Sequence, residues 1–282
     1  MTQHAKGLLL TFSGVVLMSI ESPLIKFSNL QAQTIGFYFG ICLFISANLM
    51  LLSKGSTYFI KNYTTNFKGI FLSGLFMGIS NFCFVMAVYY AGIAKAVLIL
   101  ASSPIISALI AYIFLKQHTP KRIFLATFIV FIGLYIILAD DLGTSSLIGN
   151  LYAFGCVLSF STLFCVLSFH KDASRLGYIS FGGVFLTLFS LINVNLHVEF
   201  SSLLPIIFLG LIITPLSRLF IGLGTRYLIP AEVGLLVIGE SILAPIWGWW
   251  WLDEVISTSV FIGGSIILLA LIINSLASLQ KA

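Results

Sequence analysis

Ten apolar stretches, each close to the ~20 residues a helix needs to cross a ~30 Å hydrocarbon layer, follow one another with only short polar gaps. No other feature limits the fold as much. They fall at about 6–27, 34–53, 69–90, 94–115, 122–139, 147–169, 177–196, 203–225, 231–252 and 257–277. Only 8% of the 282 residues are charged and 59% are hydrophobic, too little polarity to coat a water-soluble domain of this length. Lipid offers no partners to backbone N–H and C=O groups, so the spans must be helices, not open strands. The expectation is an all-α polytopic membrane protein with ten transmembrane helices.

The basic residues orient it. With the N-terminus in the cytoplasm, Lys6, Lys54, Lys61, Lys68, Lys116, Lys121, Arg122, Lys171, Arg175, Arg226 and Lys281 all lie inside. The outside receives Lys26 and Lys95, both at span ends, and Arg218 falls within a span. Asp140, Asp141, Glu199, Asp253 and Glu254 complement this on the outside. Both termini are therefore expected in the cytoplasm. Trp247, Trp249, Trp250 and Trp251, at the outer end of the ninth span, read as an aromatic belt at the headgroups, with a ligand-stacking box as the other possibility.

The chain is also doubled. Residues 81–117 and 218–254 repeat one hydrophobic hairpin at an offset of 137, setting Asn81 against Arg218, Tyr90 against Tyr227, Lys95 against Glu232 and Ser103 against Glu240. At a similar offset Gly7 matches Gly149, Val15 matches Val157 and Ser19 matches Ser161. Two halves follow, 1–139 and 147–282, with five spans each. Five is odd, so the second half enters from the opposite side and the repeats are inverted. Inverted repeats recur in secondary transporters, where exchanging the conformations of the halves moves an opening across the membrane.

Charges inside a bilayer are expensive, so each marks a candidate site. Arg218 and Glu240 lie eleven residues before and after Ile229, which gives them equal depth near the midplane, as a substrate site or as a buried salt bridge between two helices. Asn81 and Ser103 hold the same positions about Gly92. These four positions predict a central polar site. Glu21, beside Pro23, is the third intramembrane charge, and Glu21 and Glu240 are the candidates for proton coupling. Lys26 reads as a snorkelling cation and Glu232 as an ordinary first-turn acid, while Lys95 faces an outer vestibule or snorkels. Pro23, Pro104, Pro215 and Pro245 interrupt spans and are the candidate helix breaks or gates.

Other chemistry finds no footing. Cys42, Cys83, Cys156 and Cys165 sit in apolar runs without zinc spacing, and no two histidines stand at i, i+4. No metal or other cofactor is expected. Nor is an enzyme, since no Walker loop, nucleophile elbow or zinc-protease motif is present in a usable context. The net charge of +5 is dispersed over the gaps, which argues against nucleic acid.

The segments Ala94–Gln117 and Ala231–Glu254 resemble the fourth helix of each repeat in the EamA-type drug/metabolite transporters: a small-residue entry, a mid-helix proline (Pro104, Pro245), an apolar run and a closing acid (Leu252-Asp253-Glu254). The first repeat departs by ending in Lys116-Gln117, and the first span has Ser-Ile-Glu-Ser-Pro where many relatives carry a tryptophan-glycine pair. The resemblance implies a multi-pass inner (plasma) membrane carrier of small metabolites. Arg218 and Glu240 together point to an amino acid or related zwitterion, exported by alternating access. The other readings are an uptake carrier or exchanger for a charged metabolite such as a nucleotide derivative, and a non-transporting assembly or regulatory protein. The expected partners are the solute, the lipid bilayer, and a proton or counter-substrate, with the chain a monomer or homodimer.

Overall fold

The computed structural model describes residues 3–115, 121–139, 144–170, 172–224, 227–228 and 230–279. Lys116, Gln117, Lys171, Arg226, Lys281, Asp140 and Asp141, used above for orientation and motif, lie outside the described residues. Every regular element among the described residues is a helix. In chain order they are α1 (Gln3–Ser19), α2 (Glu21–Phe27), α3 (Ala32–Leu52), α4 (Ser56–Thr64), α5 (Phe67–Ala91), α6 (Ile93–Leu100), α7 (Ser103–Leu115) and α8 (Lys121–Ala139). Then come α9 (Thr144–Phe169), α10 (Arg175–Phe189), α11 (Phe200–Phe208), a π-helical turn Leu209–Ile213, α12 (Thr214–Gly224), α13 (Pro230–Ile238), α14 (Glu240–Leu252) and α15 (Thr258–Leu279).

Six apolar segments are long enough to cross a membrane: Gln3–Phe27, Ala32–Leu52, Phe67–Ala91, Ile93–Ile110, Leu147–Phe169 and Phe200–Ile221. Four shorter apolar helices, Phe124–Leu138, Arg175–Phe189, Leu236–Leu252 and Thr258–Asn274, complete the bundle. Its distribution of polarity is that of a multi-pass membrane protein. Leu151, Tyr135 and Phe261 are 74%, 73% and 67% exposed on the outside, whereas Glu21 and Glu240 are each only 7% exposed within.

Prolines explain most of the interruptions. A proline has no N–H for the carbonyl four residues earlier and crowds that carbonyl. Pro23 follows the break at Ile20, Pro104 follows the turn at Ala101–Ser102, and Pro215 follows the π-helical turn. The fourth break stands at Gly239, ahead of Pro245 inside α14. Gly239 and Ser102 are equivalent in the 137-residue repeat.

The seventh segment is shorter than the sequence suggests. It ends at Phe189, not near residue 196, because Asn193 takes a left-handed φ of 62° and the Asn195 N–H donates to Thr34 Oγ1 over 3.1 Å. Asparagine tolerates that conformation and brings polar groups that compete with helix bonding. Helix α4, read from sequence only as part of a gap, forms after Gly55, whose φ is +99°.

The main packings are α5 on α9, α1 on α12, α10 on α3 and α5, α15 on α8, α7 on α9, and α14 on α6. Glycines set the closest approaches. A Cβ on Gly40 would lie 2.6 Å from the Gly183 carbonyl, and one on Gly183 would lie 2.6 Å from the Gly40 carbonyl. Gly133 and Gly263 repeat this between α8 and α15, at 2.8 and 2.6 Å. Gly7 closes on Tyr227 and Leu228 much as Gly149 closes on Tyr90 and Ala91.

Candidate functional site

The helix breaks place charge in the interior. Glu21 is the first residue of α2 and Glu240 the first of α14, so each carboxylate stands where its half-helix presents unpaired N–H groups and the positive end of its dipole. Ser217, one turn into α12, donates its hydroxyl to Glu21 Oε1 over 3.5 Å. Arg218 follows it, with its guanidinium carbon 6.0 Å above the Phe160 ring, within cation–π reach. The Arg218 charge acts on both carboxylates, and Glu21 acts on Glu240.

The salt bridge that the sequence allowed between Arg218 and Glu240 does not form. Among the described residues the ion pairs are His4–Glu232 and Lys26–Glu254, and the buried Arg218 Nε has no hydrogen-bond partner. Arg218, Glu240 and Glu21 thus form one electrostatic group, while Ile229, the turn residue from which their equal depth is expected, lies outside the described residues. Tyr178 on α10 and Cys156 on α9 also lie within the field of Arg218. Two carboxylates and one guanidinium in an apolar bundle leave polar atoms for a ligand to satisfy. Burying such groups without partners costs several kcal/mol.

The other predicted positions divide. Asn81 on α5 is half-buried and its Nδ2 is buried without a partner, as is Arg218 Nε at the repeat-equivalent position. Ser103 opens α7 and is buried, and its carbonyl accepts the Ser161 hydroxyl at 3.1 Å. Lys95 stands apart. It lines a cavity of about 250 Å³ with Ala94, Glu254, Ser257 and Val260, a lining that includes none of the other site positions. Pro23, Pro104 and Pro215 sit at breaks as described, and Pro245 lies inside α14.

Several residues escaped the sequence reading. Trp247 is not part of an exposed belt: its indole N–H donates to Ser19 Oγ over 2.9 Å, beside the break in the first segment. Trp249, Trp250 and Trp251 do remain exposed. Glu254 accepts the Ile93 N–H at 2.8 Å, so it caps α6 from the end of α14, and its other oxygen lies 3.8 Å from Lys26 Nζ. Gly92, at φ +87°, leaves room for that carboxylate. His4 bonds Glu232 at 2.8 Å. Only the order of the helices in space could have revealed these contacts. Among the described residues no group of three or more His, Cys, Asp or Glu side chains could hold a metal.

Residues 5–139 match the EamA-like transporter family. No curated protein matches the sequence. One solved structure, described only as a crystal structure of a protein, shares the fold with a TM-score of 0.66, covering 97% of this chain and 98% of its own at 14% identity.

Proposed function

From the match of residues 5–139 to the EamA-like transporter family, we propose that this chain is a secondary transporter moving a small zwitterionic metabolite, of amino-acid type, out of the cell across the inner membrane. Glu21, Arg218 and Glu240 form the centre of the site, with Asn81 and Ser103 at its edge. The observation that carries this is the charge group itself. Arg218 is half-buried, with its Nε buried and unpartnered. It forms an ion pair with neither carboxylate although its charge acts on both, an arrangement suited to a solute that brings both an acid and an amine. Two carboxylates to one guanidinium make a poor seat for an anionic nucleotide derivative. Either Glu21 or Glu240 can carry a coupled proton.

Ten spans in two inverted five-helix repeats, 1–139 and 147–282, with both termini in the cytoplasm, provide the frame for alternating access. Three features support it. The α5–α9 packing has its repeat counterpart in α12–α1, α3–α10 and α8–α15 each pair a helix with its own counterpart, and α6–α14 joins the two fourth segments. The contact Gly40–Gly183 joins residues 143 apart, close to the 142-residue offset of Gly7 and Gly149, as a pseudo-two-fold axis passing between α3 and α10 would give. The breaks at Ser102 and Gly239 fall at equivalent positions.

Counterflow in reconstituted vesicles loaded with single amino acids tests the reading. Uptake of a labelled zwitterion driven by the same unlabelled solute is the expected result. Folded, reconstituted protein that moves no solute under any gradient would make it an assembly or regulatory protein instead.

A further inference from the structure

We infer that Ser19 and Ser161 are paired gate residues: each bonds the break of the other repeat's fourth helix in one of two facing states, and this structure holds the state in which Ser161 alone is engaged. The inference rests on the transporter reading above and adds which residues exchange partners.

Ser19 and Ser161 are repeat equivalents on the first helix of each half. Each first helix is fixed in the same way to the third helix of the other half. Gly7 meets Tyr227 and Leu228 as Gly149 meets Tyr90 and Ala91. Gly14 comes within 2.9 Å of the Ser217 carbonyl, counting from a Cβ built on it, and its counterpart Cys156 accepts the Ser80 hydroxyl on its carbonyl at 3.4 Å. Since Ser80 is the counterpart of Ser217, these two helix pairs are internally alike.

Against the fourth helices they differ. On one side Ser161 Oγ donates to the Ser103 carbonyl at 3.1 Å, and Cys165 Sγ to the Ser107 carbonyl at 3.7 Å. Carried across the repeat, the first contact becomes Ser19 with the Glu240 carbonyl and the second becomes Pro23 with Ala244. Neither is formed. Instead Val15 lies 3.7 Å from a Cβ built on Gly239, Ser19 accepts the Trp247 indole N–H, His4 reaches Glu232 and Lys26 reaches Glu254. All four contacts are displaced in the same sense, toward the C-terminal end of α14, by one to two helical turns. Packed helices switch in such steps of about 5.4 Å because intermediate registers separate ridges from grooves.

The displacement falls on the site. Ser103 and Glu240 each open the half-helix after a break, so the serine bond decides how closely that end is held against the neighbouring first helix. Here the neutral end, Ser103, is clamped by Ser161. The charged end, Glu240, is not clamped by Ser19, whose hydroxyl donates to the Val16 carbonyl at 2.8 Å while it accepts the Trp247 indole N–H. In the opposite state Ser19 takes the Glu240 carbonyl, Trp247 is released and Ser161 lets Ser103 go.

The native Cys165 permits a direct test in the full-length protein. With Cys42, Cys83 and Cys156 changed to Ala, Ser107→Cys places a second thiol beside Cys165. Oxidation is expected to form the disulfide and arrest flux, and reduction is expected to restore it. Trp247→Phe touches neither thiol, so a purely local role predicts no change in cross-linking. The gate predicts that losing a hydrogen bond of about 1 kcal/mol shifts the equilibrium between the two states about fivefold and lowers the initial cross-linking rate by up to that factor. Ser161→Ala should lower it too, and Ser161→Thr, which keeps the hydroxyl, should restore it. An unchanged rate in folded Trp247→Phe protein overturns the gate, as does full flux from the cross-linked protein. A rate that responds as expected in protein that moves no solute supports the two-state gate and rejects the transport reading.

Discussion

Trp247 and Ser19 meet through a 2.9 Å hydrogen bond, indole N–H to hydroxyl, that joins α14 to α1 two residues before Glu21. Pro23 removes the N–H that would otherwise bond the Ser19 carbonyl, so the end of α1 is a weak point of its segment. Trp247→Phe keeps the ring and deletes the donor. It is expected to lower stability by about 0.5–1.5 kcal/mol while leaving the fold intact, read as a lower midpoint of thermal unfolding in detergent.

Glu254 does two things at once, and two substitutions separate them. Glu254→Gln keeps a carbonyl oxygen for the Ile93 N–H but loses the charge facing Lys26, a partly buried and loose pair at 3.8 Å. Its effect should stay within about 1 kcal/mol. Glu254→Ala also uncaps α6 and is expected to cost about 1–2 kcal/mol. Equal losses in the two variants would show that the cap contributes nothing.

At the α3–α10 crossing, a methyl group on Gly40 meets the Gly183 carbonyl and the Thr187 backbone nitrogen, 2.6 and 2.7 Å away. Backbone cannot swing aside as a side-chain tip can, so the helices must separate. Gly40→Ala is expected to destabilise by about 1–3 kcal/mol. The same change at Gly55, which has open space around it, should act only through its backbone, at φ 99° and ψ 153°, and cost a comparable ~1–3 kcal/mol without separating any helices. Thermal unfolding of the two variants in one detergent makes the comparison.

Tyr63 supplies a pH dependence. Its hydroxyl donates to Asn48 Oδ1 at 2.7 Å, and Asn48 Nδ2 donates to Ser180 Oγ at 2.8 Å, linking α4, α3 and α10. Burial holds this phenol above its ordinary range, partly offset by the hydrogen bonds. The folded state therefore binds the proton more tightly than the unfolded chain. That stability is fully present below the ordinary phenol value of about 10 and is lost as pH rises from there toward the folded value. Tyr63→Phe should be less stable than the parent at neutral pH, and the gap should narrow above pH ~10.

The sequence made the helical segments and their breaks legible because both depend on local chemistry: apolar length, and a proline that withholds one N–H. Glu21, Arg218 and Glu240 stood out as charges with no solvent to justify them. The partners of those charges were not legible. Ser217 looks like any small residue of a membrane helix, and Arg218 and Glu240 act on each other electrostatically without sharing a bond. Trp247 was read with three neighbours that do face outward, although its position beside Ser19 depends on which helices adjoin. Ser190 to Leu196 looked apolar enough to extend the seventh span, but Asn193 and Asn195 turn the chain there.

The account depends on Glu21, Arg218 and Glu240 acting as one ligand site, and ligand-induced stabilisation of the purified protein tests that directly. A zwitterionic solute at a hundredfold excess over its Kd should stabilise the parent by about 2.7 kcal/mol. Arg218→Gln and Glu240→Gln protein, shown to fold by its own cooperative transition, should lose most of that shift. A solute that stabilises both variants as much as the parent would contradict the account and place its binding site elsewhere.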